Sequence, residues 1–102
     1  MEDRTLIVVA GELDALTVPF MRQKLTEVLD ARADDVILDI GLLKFVDSTG
    51  LALFLTLHKK LVVEGHKLVI FSPTPAARRL FEVTGLSEFL SILPKVPSRI
   101  AR

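Results

Sequence analysis

The stretch VILDIGLLKFVDSTGLALFLTLHKKLVVEGHKLVIFS, residues 36–72, decides how the chain folds. Val36–Ile40 is a short, apolar run of the kind found in a strand buried within a sheet. Gly41–Asp47 leads out of it. From Ser48 onward the apolar residues recur at helical spacing: Leu51, Phe54, Leu55, Leu61 and Val62, with Leu53 and Leu57 widening the stripe. Gly65 is a good helix stop. Lys67–Ser72 then reads as a second apolar strand. Strand, helix, strand is a βαβ unit, whose crossover makes the two strands parallel and, by the handedness rule, right-handed.

The same alternation extends both ways. Upstream, Thr5–Ala10 is short, β-branched and almost wholly apolar, which predicts a strand buried on both faces. GELDALTVP follows as a loop, with Thr17 as helix N-cap and Pro19 in the first turn. Val18, Met21, Leu25, Val28 and Leu29 mark one buried face of that helix, and Ala31–Asp35 ends it. Downstream, Pro75 opens a helix with an apolar row of Ala77, Leu80 and Phe81, and Gly85 closes it. SEFLSIL is a last helical turn or a short strand, and the basic, proline-containing tail after Pro94 is expected to fray. The pattern is α/β with a largely parallel sheet. Nothing in it marks a boundary, so a single domain over residues 1–102 is expected.

Bulk properties narrow the function. Half of the 102 residues are hydrophobic, enough for a core without staples. There is no cysteine, which excludes disulfides, thiolate nucleophiles and cysteine metal sites. Thirteen basic residues balance thirteen acidic ones, against the basic face a nucleic-acid binder needs. The N-terminus carries no signal-peptide pattern, and no apolar run nears the ~18 residues of a membrane span. A soluble, cytoplasmic domain without membrane insertion is expected.

Catalytic sets are not visible. His58 sits beside the apolar helix stripe and reads as a packing residue; His66 follows Gly65 and reads as a solvated turn residue. Asp39, in an apolar strand, reads as a hydrogen-bonded structural carboxylate. The chain has no glycine-rich phosphate loop, dinucleotide fingerprint or nucleophile elbow. No enzyme activity, metal or cofactor is expected. That leaves Asp47-Ser48-Thr49-Gly50. A serine at a helix N-terminus is either a simple cap, contributing about 1 kcal/mol, or a site that tolerates phosphate. Unpaired N–H groups and the positive helix end accommodate an added charge there.

VDSTGL (Val46–Leu51), with GELDALT before it and TPAARRLFEVTGL after it, resembles the STAS domain family, most closely the bacterial anti-sigma factor antagonists. The resemblance runs from Thr5 to about Leu93. It implies a single STAS-type domain, with a mostly parallel sheet of about four strands and helices packed against it. It implies that the unphosphorylated protein captures an anti-sigma factor kinase and so frees a sigma factor. Ser48 is then the phosphorylated residue, Thr49 the neighbour that is not used, and a serine phosphatase resets the system. A partner-binding surface of Asp14, Asp47, Ser48, Thr49, Gly50 and Leu51 is implied too. Asp14 and Ser48 both follow the carboxyl ends of strands, where the loops of a parallel sheet gather, so the two are expected at one end of the domain. Relatives usually carry an extra strand before the one at Thr5, so that edge is expected to be shortened or the chain to be a minimal form. They also often read Gly-Leu-Gly where this chain has Gly50-Leu51-Ala52. The alternative within the same family is a non-phosphorylated subunit docked on the ATPase of a lipid-transporting ABC system. A scaffold subunit of a stress-sensing complex is a third reading.

Overall fold

A computed structural model describes residues 4–31 and 34–93. The tail after Pro94 and part of the Ala31–Asp35 break lie outside the described residues. Four strands alternate with three helices: β1 (Arg4–Leu13), α1 (Val18–Ala31), β2 (Asp35–Val46), α2 (Ser48–Val63), β3 (Leu68–Phe71), α3 (Pro75–Thr84) and β4 (Ser91–Leu93). One 3-10 turn, Leu86–Glu88, precedes β4, so SEFLSIL supplies both the turn and the strand.

Local chemistry sets the helix ends. Thr74 accepts a hydrogen bond from the Ala77 N–H, Pro75 follows it, and Gly85 closes α3 at φ 80°. At the end of α2, Gly65 has φ 83°. There the His66 N–H reaches the Leu61 carbonyl at 2.8 Å and the Gly65 N–H reaches that of Val62 at 3.0 Å. This paired closure needs a residue free to adopt positive φ, and glycine is that residue.

The sheet order is β1-β2-β3-β4, and every neighbouring pair is parallel. Right-handed crossovers that always step in one direction place all the helices on one face of the sheet. Burial agrees. Val9, Val36, Leu38, Ile40, Leu68 and Ile70 share one core with Leu25, Leu29, Leu53, Phe54, Leu57, Leu61, Ala77 and Phe81. The rings of Phe54 and Phe81 tie α2 to α3, with centroids 6.1 Å apart.

Three sequence readings are corrected. Thr5–Ala10 is not buried on both faces: β1 lies at the sheet edge, and Leu6 and Val8 are 63% and 54% exposed. Its composition is that of an interior strand, but among the described residues no helix covers its second face. The strand read as Val36–Ile40 does not end at Ile40: Gly41–Val46 continues β2, paired among the described strands with β1 alone, with Ala10 opposite Leu42 and Leu13 opposite Val46 across two register shifts. Val28 and Val62 lie outside the buried helix faces, on exposed flanks.

Candidate functional site

The Leu13–Val46 pair is the last of the β1–β2 ladder, and the Asp47 N–H donates to the Leu13 carbonyl at 3.1 Å. Both strands end here. Asp14 and Asp47 therefore leave the sheet side by side at the carboxyl ends of parallel strands, where α1 and α2 begin. Asp14 organises its own turn: its Oδ1 accepts from the Leu16 N–H at 3.0 Å and the Thr17 N–H at 3.1 Å. The Thr17 hydroxyl accepts from the Asp14 N–H and donates to the Glu12 carbonyl.

The cap of α2 is Asp47, not Ser48. Asp47 is extended, and its Oδ1 accepts from the N–H groups of Thr49 at 2.9 Å and Gly50 at 3.1 Å. The same oxygen accepts the Thr49 hydroxyl, 2.5 Å away. That hydroxyl is the chief reason the Asp47 carboxyl sits below the usual aspartate range; burial opposes it, and the N–H groups of Gly50, Thr49 and Ala15 reinforce it. Ser48 is thereby the first helical residue, exposed, and its hydroxyl has no hydrogen-bond partner among the described residues. Two adjacent hydroxyls thus differ sharply. Thr49 is bound to a carboxylate, whereas Ser48 faces solvent.

Gly50 and Leu51 lie beneath this surface rather than on it. Leu51 is 2% exposed and belongs to the core. A Cβ on Gly50 would stand 2.6 Å from Val46 Cγ2 and 2.9 Å from Leu13 Cγ, so the first turn of α2 presses on the ends of both strands. These are a stiff β-branched methyl and a branch point of a fully buried leucine, and neither yields easily. Gly50→Ala is expected to introduce about 1–3 kcal/mol of overpacking, offset by up to about 1 kcal/mol of helix preference. A thermal melt should show a net loss of stability. A melting temperature equal to or above the parent's would mean that Val46 and Leu13 give way freely.

Sequence reasoning missed the apolar surroundings. Leu16 in the Asp14 loop is 89% exposed, and Phe20 in the first turn of α1 is also exposed, with Lys24 Nζ 5.4 Å from its ring centroid. The signal lay in ALTVPF, where two large apolar residues fall off the buried stripe of α1. On the other side, an open groove of about 290 Å³ runs between the end of β2 and α3, lined by Leu43, Phe45, Val46, Ala77, Leu80 and Val83. Lys44 and Arg79 stand at it. Ala52, within α2, is exposed.

The other candidates are structural. Asp39 Oδ1 accepts from the Gly41 N–H at 2.9 Å, in mid-strand because β2 continues. His66 does have a neighbour: its Nδ1 lies 3.4 Å from Asp35 Oδ1, which also accepts the Lys67 N–H. His58 is half-buried, and its Nδ1 has no partner. Among the described residues no three His, Asp or Glu side chains are placed to hold a metal ion, and no helix is long and apolar enough to cross a membrane.

Comparison with known proteins agrees with this architecture. The sequence profile of the STAS domain matches residues 2–98. The anti-sigma-B factor antagonist of Listeria monocytogenes is 38% identical over 91 residues, which cover 88% of this chain and 79% of that protein. Its counterpart in Staphylococcus aureus is 34% identical, over 82% of this chain and 78% of that one. Among solved structures, an anti-sigma factor antagonist from Mycobacterium paratuberculosis superposes with a TM-score of 0.81 at 25% identity, covering 96% and 83% of the two chains. The antagonist SpoIIAA in its unphosphorylated form shares the fold with a TM-score of 0.77 at 24% identity, over 99% and 86%. On the parallel sheet, the shared strand ends and these matches, the chain belongs to the STAS domain family, with anti-sigma factor antagonists as its relatives.

Proposed function

We propose that this chain is a phosphorylation-switched anti-sigma factor antagonist. Unphosphorylated, it binds an anti-sigma factor kinase and frees a sigma factor; phosphate on Ser48 ends that binding, and a serine phosphatase restores it. The observation that carries the reading is the contrast between the two hydroxyls. Ser48 is exposed with an unengaged hydroxyl at the start of α2, where the helix dipole favours added negative charge. Thr49 is bound to Asp47 and must give up that bond to react. The relatives named anti-sigma-B factor antagonist support the reading. So does the fold shared with SpoIIAA, which is also known in a phosphorylated form.

The switch is electrostatic. A phosphate of charge roughly −1.5 to −2 beside the Asp47 and Asp14 carboxylates makes this end strongly negative. A partner surface shaped for a neutral hydroxyl then meets both repulsion and a desolvation cost. The test is incubation with the anti-sigma factor kinase and ATP, followed by mass-spectrometric mapping. Phosphate is expected on Ser48 and not on Thr49, and Ser48→Ala should abolish incorporation. Phosphate on Thr49, or undiminished labelling of Ser48→Ala, sinks the assignment.

A further inference from the structure

Every second residue of β1 points away from the helices: Arg4, Leu6, Val8, Ala10 and Glu12 are all exposed. We propose that this stripe is a self-association face, on which a second copy packs antiparallel about a two-fold axis at Val8. The first argument is the sheet itself. Parallel strands are ordinarily covered on both faces, yet among the described residues the three α-helices share one core on a single side. On the open side, Leu6 and Val8 are joined by Leu42 of β2 at 63% exposure and Leu93 of β4 at 49%. Phe71, which the register places on the same face as Val8, is only 7% exposed, so this face is bare chiefly along β1, and a second copy packed there would lie sheet on sheet at about 10 Å.

The second argument selects the occupant. Along the strand the stripe reads basic, apolar, apolar, apolar, acidic, with Val8 at its midpoint. Its reverse is its own complement. A two-fold axis at Val8 sets Arg4 of each copy against Glu12 of the other, the isologous arrangement that closes a dimer. Among the described residues neither charge is paired: the ion pairs there involve Lys60 and His66. The formal net charge of zero means that two copies approach without long-range repulsion. The ten-residue strand and its neighbour offer a face of roughly 33 by 10 Å. That is well below the ~800 Å² per partner of a stable interface, so the dimer is weak and concentration-dependent.

Sedimentation at concentrations from on the order of 10 µM to 1 mM, where interfaces this small begin to populate, tests it. The parent should shift from monomer towards dimer. Val8→Asp should remain monomeric across the range with an unchanged melting temperature, because Val8 is a surface residue. Arg4→Glu and Glu12→Arg should each be monomeric alone, since each places like charges at both contacts. Mixed in equal amounts, they should recover the dimer, because the mixed pair restores two opposite-charge contacts. A parent that stays monomeric throughout overturns the proposal. So does a dimer that survives Val8→Asp, as edge-to-edge pairing of β1 would, and so does a mixture that fails to associate.

Discussion

On the proposed function, Ser48→Asp is expected to weaken binding of an anti-sigma factor kinase by about 100-fold or more, equivalent to roughly 2.7 kcal/mol, while stability stays within about 0.5 kcal/mol of the parent. The two effects separate because Ser48 is not the cap. Asp47 holds the first N–H groups of α2 in every Ser48 variant. A carboxylate at the first helical position also meets the favourable end of the helix dipole. Ser48→Ala, which removes only an unengaged hydroxyl, should keep both fold and binding. Calorimetric melting and binding titrations on the three proteins decide it. Equal affinity in all three would remove the switch and leave the end of the sheet as a constitutive docking surface, the ABC-associated alternative. Unfolding of Ser48→Asp would mean that the charge is forced inside the domain.

Phe54→Ala should have the largest effect on stability, a loss of about 3–5 kcal/mol. Phe54 is fully buried, and its ring packs on the equally buried Phe81. Truncation therefore opens a cavity between α2 and α3, at a place where stiff strand residues line the floor. Against a typical total of about 5–15 kcal/mol, that loss would bring the chain close to unfolding at physiological temperature. Urea denaturation with a constant slope would measure it. A loss under about 1 kcal/mol, the mark of a site that collapses or is remade, would show that α2 and α3 do not share a core.

The alternation of elements was legible because periodicity and punctuation agreed. Pro75 and Gly85 bracket α3 in the sequence as they do in the structure, and Gly65 ends α2. What escaped was decided by neighbours distant in the chain. Gly41–Val46 lacks strand-like alternation, and only its pairing with β1 across two register shifts makes it a strand. That pairing is also what sets Asp14 beside Asp47, so the expectation that Asp14 and Ser48 share an end came out correctly from the general behaviour of parallel strands rather than from any local signal. The cap was displaced by one residue because aspartate and serine are both strong caps and stand adjacent. The displacement matters: it moves Ser48 from a role in holding the helix to an unengaged surface hydroxyl. The apolar run at Thr5–Ala10 misled for a related reason. Composition reports how a strand is able to be buried, not whether anything lies above it.

The strand order has a kinetic consequence. Each ladder joins strands that follow one another in the chain, with one α-helix between them and, before β4, the short 3-10 turn. No strand waits for a partner supplied much later, as happens in sheets whose order jumps back across the first strand. Loop closure is thus as small at every step as a parallel sheet permits, and relative contact order stays low for this class of fold. The chain can grow its sheet in the direction of synthesis, each new helix and strand docking on an edge already formed by the one before.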